Sequence, residues 1–316
     1  MRSTETTLVS SATTATSFLR LVEQIVDELG QATSQAQVSY LMGRMFGAQH
    51  LLNVDLQRPE LADQLRAAFS PLAEISFVLS WALKKPYGYA GDFVALEMLY
   101  DNRVNPSSTA EGQFIDRWLL DAQLGIGVRE RKNMLSAFIE RKVQAHAVSG
   151  KSLRLLSLAA GSARELRDLP ETVLQNLDAT LVDQDPRSLE FACRHLPSSV
   201  TQMNRNALRL KASSFPQPFD LVYSFGFFDY LSDDLIVHSL NLCRSALAPC
   251  GSVIFPLKID SKFRHWFYDV FLDWRFVKRE LADGLRLASQ AGLDVVELLE
   301  TENESVVFYH CVPRQI

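Results

Sequence analysis

"LSLAAGSARELRDL" (residues 156–169) joins two patterns that need a turn between them. The apolar run 153–158 reads as a buried strand, and a helical pattern begins just after Ala163. At the junction stand Ala159, Ala160, Ser162 and Ala163, four side chains of almost no volume, around Gly161. A tight turn accounts for small residues, and so does a ligand that must reach the backbone and the first N–H groups of the following helix. With one glycine the loop does not match GxGxxG, and it carries no GK[ST] phosphate cradle, so a dinucleotide or a nucleoside triphosphate is disfavoured. A bulky ligand without phosphates fits better.

Downstream, short β-like runs at 153–158, 179–182, 200–203, 219–223, 252–255, 295–299 and 305–311 alternate with helical patterns at 163–176, 186–195, 232–247 and 261–290. Nearly continuous apolar strands alternating with helices predict a mainly parallel sheet covered on both faces. The last two runs are joined by the polar "ETENES" (300–305) without a helix, which predicts an antiparallel hairpin. Upstream, residues 15–145 read as helical throughout, with Leu19, Leu21, Val22, Ile25, Val26 and Leu29 at helical spacing and further stretches near 34–54, 58–82, 92–102 and 111–146. The polar joint "SGKS" (149–152) separates the two characters. The expected division is a flexible tail over 1–14, a helical domain over 15–148 and an α/β domain over 149–316.

Composition narrows the partners. A net charge of −5 argues against a broad nucleic-acid surface, and no run of eighteen apolar residues suggests a membrane span. The Ser/Thr-rich N-terminus lacks the compact apolar core of a secretory signal. Cys193, Cys243, Cys250 and Cys311 are scattered, and the six histidines form no HExxH pair, so reduced thiols in the cytoplasm and no metal site are expected.

A second strand ends at Asp183, about twenty residues after the loop, where a carboxylate can accept from both hydroxyls of a ribose; Gln184 follows, and Asp185-Pro186 reads as a helix start. Asn206-Ala207 follow the third strand, where an amide could meet an adenine edge. The fourth strand runs into "DLVYSFGFFDYLSDD" (220–234), where Ser224, Phe225 and Gly226 open a turn rich in aromatics. Phe228 and Tyr230 can pack in a core or form a wall beside a cationic centre, since a sulfonium is attracted to ring faces. In 260–285, Trp266, Phe267, Phe271 and Trp274 mix with Arg264, Arg275, Lys278 and Arg279, either a basic helix that binds an anionic substrate such as a carboxylate or, the favoured reading, an amphipathic helix whose charges are in solvent.

This order of features resembles the class I S-adenosylmethionine-dependent methyltransferases over residues 150–313. Such a domain is α/β, a Rossmann-like seven-stranded sheet with an antiparallel last strand. The resemblance implies S-adenosylmethionine held by Ala159, Ala160, Gly161, Ser162, Asp183, Gln184, Asn206, Ala207, Ser224, Phe225 and Gly226. One departure stands out: Ser157-Leu158 replaces the acidic residue often found before the loop. "KKPYGYAGD" (84–92), "FGFFDYLSD" (225–233) and "FLDWRFVKRE" (271–280) are similar to a bacterial subfamily linked to the methyl ester of a hydroxy fatty acid signal and, more distantly, to enzymes that cyclise S-adenosylmethionine to azetidine-2-carboxylate. There the helical part is a lid, which implies roles near the sulfonium for Tyr87, Tyr89, Phe228 and Tyr230, while Asp92 either caps the next helix or orients the ligand's amine. The reaction this implies is methyl transfer to a small-molecule acceptor, carboxylates included, in secondary metabolism or signalling. Intramolecular cyclisation and a non-catalytic regulator are the alternatives.

Overall fold

The computed structural model describes every residue but Met1, Asn53, Gln57, Ser261, Lys262, Arg264, Glu304 and Ile316, and the backbone alone for residues 2–13. Two compact units make up the chain: Met1–Ile126 with Arg264–Arg275, and Gly127–Phe263 with Phe276–Ile316.

The first unit is helical. It contains α1 (Arg2–Leu29), α2 (Gln35–Leu52), α3 (Pro59–Phe69), α4 (Phe77–Lys84), α5 (Phe93–Asp101) and α6 (Ala110–Leu120). Helix α1 covers the segment expected as a tail, and the side chains of its first twelve residues lie outside the described ones. Phe18, Val22, Ile25 and Leu29, spaced by three and four, give α1 one fully buried stripe. The segment 264–275 belongs to this unit because its aromatics do: Phe271 packs on Phe69 with ring centres 4.6 Å apart, and Arg66 Nε donates to the Val270 carbonyl. Lys85 Nζ donates to both the carbonyl and the carboxylate of Asp273.

The second unit is the α/β domain. Helix α7 (Gln123–Ala147) leads into β1 (Leu153–Leu158), and then follow α8 (Arg164–Arg167), α9 (Glu171–Leu174), β2 (Leu177–Asp183), α10 (Pro186–Cys193), β3 (Thr201–Asn204), β4 (Phe219–Ser224), α11 (Asp233–Ser245) and β5 (Leu247–Lys258). Helix α12 (His265–Phe271) lies in the helical unit, and α13 (Leu281–Gln290), β6 (Leu293–Glu300) and β7 (Val306–Pro313) close the sheet unit. The seven strands lie in the order β3-β2-β1-β4-β5-β7-β6. Strands β1 to β5 are parallel, and β7 runs antiparallel to both β5 and β6. One face is sealed by Ile236 and Leu240 of α11 and Leu287 of α13 against Val222, Phe255 and Tyr309. On the opposite face Phe138 of α7 meets the His310 ring, the side chain between Tyr309 and Cys311 in the two-residue alternation of β7.

Three expectations are corrected. The boundary falls at 126/127 rather than 148/149, because α7 is tied to the sheet unit: Lys132 pairs with Asp168, and Ser136 Oγ donates to the Glu165 carbonyl. The helix expected over 163–176 is two single turns, with Pro170 as the N-cap of the second. The long helix over 261–290 is broken at Asp273, whose φ of 44° is left-handed, and it resumes only at Leu281. Its charges divide accordingly: Arg275 is solvated, Arg279 is buried, and Arg264 lies outside the described residues. No described helix is long and apolar enough to cross a membrane.

Candidate functional site

The strand order reverses between β1 and β4, the place where an open α/β sheet forms its ligand crevice. The loop after β1 is held there in an unusual backbone. Ala159, Gly161 and Ala163 have φ of 54°, 55° and 48°, a region that costs an L-residue about 1–2 kcal/mol. Three hydrogen bonds maintain it. Ala160 donates its N–H to the Val182 carbonyl, Ala163 to the Ala160 carbonyl, and Gly161 to Asp183 Oδ2 at 2.8 Å. A Cβ placed on Gly161 would meet no atom within 4 Å, so the main chain there faces open space.

Asp183 links that loop to the next strand. Its Oδ1 accepts the Asp185 N–H at 2.8 Å, so main-chain N–H groups from two directions hold the carboxylate, whose two oxygens offer about four acceptor sites between them. Burial drives its carboxyl pKa upward, against the pull of these two backbone N–H groups. Asp185 is a cap: it accepts from Arg187 N–H at the start of α10 and is closed off by the Arg187 guanidinium. Beyond Asp183 a cavity of about 280 Å³ is lined by Gln184, Asn204, Arg205, Asn206, Arg209 and Leu210. The Asn206 amide donates to Gln184 Oε1 at 3.4 Å while its oxygen caps the turn at Ala207, so these two expected residues meet.

After β4, Ser224 Oγ donates to the Leu158 carbonyl and so ties β4 to the root of the small-residue loop. Phe225 lies under the Arg131 guanidinium, 4.7 Å from its ring centre. Gly226 (φ 96°) lets the same guanidinium close in; a Cβ there would sit 2.9 Å from Nη2. Phe228 is 1% exposed and packs on Phe255, so it is a core residue rather than part of a wall facing a ligand. Tyr230 is 42% exposed and lies on Phe276.

In the helical unit, Tyr87 stacks on Phe93 and meets Trp81 edge-on, while Tyr89 is 41% exposed. Asp92 caps α5: Oδ1 accepts from Val94 N–H and Ala95 N–H, and both oxygens lie about 3 Å from Trp81 Nε1. Two features escaped the sequence. One is a cavity of about 510 Å³ within this unit, lined by Phe46, Trp118, Phe267 and Tyr268 among others, which no motif marks. The other is a buried Arg131–Asp229–Lys258 cluster in the sheet unit. The lysine ending an otherwise apolar strand, "SVIFPLK" (252–258), is the signal that could have found it.

Sheet order and antiparallel closing strand together define a Rossmann-like α/β fold of seven strands, with a small-residue loop and a carboxylate at the ends of its first two strands. Residues 81–191 match the family described as "Putative methyltransferase". A possible exported protein of Bordetella parapertussis is similar over 96% of this chain and 97% of its own, at 15% identity and a TM-score of 0.58. An S-adenosylmethionine-dependent methyltransferase of Leishmania major is 19% identical over 69% of this chain and 82% of its own, with a TM-score of 0.45. No curated protein matches the chain.

Proposed function

We propose that the sheet unit binds S-adenosylmethionine and that the protein transfers its methyl group to a small-molecule acceptor. One observation carries this reading: the open main chain at Gly161 is hydrogen-bonded to Asp183 at the neighbouring strand end, and that carboxylate has acceptor capacity to spare. The residues suit this ligand. Asp183 would take the ribose hydroxyls, Gln184 and Asn206 the adenine side, and the loop lacks the phosphate cradle that would call for a nucleotide. When bound, the sulfonium supplies an activated methyl group. With Ser157 buried at the end of β1, where an acid would hold the ligand's amine, that amine must be met by other groups.

The test is pure protein with S-adenosylmethionine, alone and with metabolite extracts, read by mass spectrometry. S-adenosylhomocysteine formed only when extract is present supports the reading. Methylthioadenosine from the protein alone would indicate cyclisation instead, and tight binding without turnover would indicate a regulator. Gly161→Ala separates site from fold. It adds a methyl group where nothing else packs, so stability should fall by only the backbone cost of a left-handed alanine, about 1–2 kcal/mol. S-adenosylmethionine affinity measured by calorimetry should fall at least ten-fold, and unchanged affinity would remove the loop from the site.

A further inference from the structure

Three charged side chains are buried together beside the carboxyl ends of β4 and β5: Arg131 of α7, Asp229 and Lys258, at 4%, 3% and 3% exposure. Arg131 Nη1 donates to Asp229 Oδ2 at 3.2 Å, and Asp229 Oδ1 accepts the backbone N–H of Lys258 at 3.0 Å. The carboxylate thus answers the guanidinium and the main chain, and the lysine amine receives neither oxygen. Lys258 Nζ has no hydrogen-bond partner among the described residues. It looks onto the rings of Phe263 and Phe276, whose centres lie 4.6 and 4.9 Å away. Nearby, Arg279 is engaged by the carbonyls of Phe228 and Leu231 and by Asp233, and the residue paired with Lys258 on β7 is the neutral Val306.

Arg131 and Asp229 already cancel, so an ammonium at Lys258 would be a buried charge without a counter-ion, which favours the free amine. Burial lowers its pKa to about 7, Arg131 pushing the same way and Asp229 opposing. The position also suits chemistry. Leu158 pairs with Ser224 and Tyr223 with Ile254, which places Lys258 past the end of β4, on the edge of the sheet that carries the Gly161 loop and Asp183.

We propose that Lys258 is the proton acceptor of the methyl transfer, and that the acceptor substrate therefore carries an acidic O–H or N–H, of the phenol, enol or imide kind, rather than a carboxylate. This rests on the methyltransferase reading above. The X–H bond breaks and its proton goes to Nζ. The electron pair left on X forms the bond to the methyl carbon, and the carbon–sulfur pair departs with sulfur as the neutral thioether. The new ammonium is within 5 Å of two aromatic ring centres, which offset part of the cost of the transient cation. Phe276 in turn lies against Tyr230, which is 42% exposed.

Two experiments test it. In lysine-labelled protein, one ¹³Cε resonance should titrate near pH 7 and vanish in Lys258→Met, while Phe276→Ala, which admits water, should move the midpoint upward. The sign follows for stability too. Between about pH 7 and the ordinary lysine range the folded chain has shed a proton that the unfolded chain keeps, so wild-type stability should rise with pH there and that of Lys258→Met should not. If every lysine titrates above pH 9, the proposal is overturned. With the acceptor recovered from extract, Lys258→Gln should lose about 100-fold or more in kcat at pH 7 and recover as the pH passes the acceptor's own pKa. A loss under three-fold with an unchanged pH profile would also overturn it. A chain that makes no S-adenosylhomocysteine with any extract overturns the methyl-transfer reading first, and this proposal with it.

Discussion

Asp183→Ala is expected to weaken S-adenosylmethionine binding by about 1–3 kcal/mol, roughly five- to 150-fold, the scale of hydrogen bonds lost from a charged group. Two effects act together. The ribose hydroxyls lose their acceptor, and the Gly161 and Asp185 N–H groups lose the oxygens that hold the loop and the start of α10. Calorimetric titration measures the first effect; Asp183→Asn keeps one of the two acceptors and loses the other, and its affinity should lie between wild type and alanine. Affinity equal to wild type in the alanine variant would remove Asp183 from the site. Acid supplies a second check. Burial raises the carboxyl pKa of Asp183, so protonation begins above the usual aspartate range. Binding should therefore weaken as pH falls through that raised value. The contribution of this group to stability moves the other way, because the folded chain takes up the proton before the unfolded chain does.

Asp116→Ala should cost the helical unit about 3 kcal/mol or more, the largest stability loss predicted for the chain. Asp116 is fully buried on α6. It accepts Ser76 Oγ at 2.6 Å and Val78 N–H on one oxygen, and Ser108 Oγ at 2.7 Å and Asn105 N–H on the other. Those serines in turn accept the Leu79 and Phe77 N–H groups, so one carboxylate organises the start of α4 and the 105–108 turn. Alanine leaves several buried donors without acceptors. Ser76→Ala and Ser108→Ala should each cost less, because three of the four bonds to the carboxylate survive. Urea unfolding read by tryptophan fluorescence orders the three variants. Asp116→Ala no less stable than Ser108→Ala would refute the account.

The strands were legible because alternation of apolar runs with helices is a local signal, and the turn over 159–163 was legible because five small residues at a strand end mark a sharp change of direction. Asp185 declared itself as a cap by the same local logic, whereas Asp92 read equally as a cap or as a contact to the ligand's amine, and its capping bonds to Val94 and Ala95 appear only in the structure. What failed was non-local. Nothing in 123–147 says that α7 serves the sheet rather than the helices before it, since Phe138 finds its partner at His310, far along the chain. The break at Asp273 was hidden for the same reason: its left-handed turn is supported by Lys85 from a distant motif. Phe228 and Tyr230, two residues apart in one aromatic run, have opposite fates, and only the course of the backbone decides which is covered. Lys258 was overlooked because a single basic residue after an apolar strand reads as the strand reaching solvent.

The 264–275 segment, grouped with helices drawn from the first 126 residues, bears on how the protein is made. A ribosome delivers α1 to α6 early, yet the piece carrying Phe271 and Asp273 emerges only after five strands of the other unit have been synthesised. The nascent helices must therefore wait, their Phe69 face uncovered, through much of translation. Cutting the gene once, at the 126/127 boundary, would strand that piece on the wrong fragment.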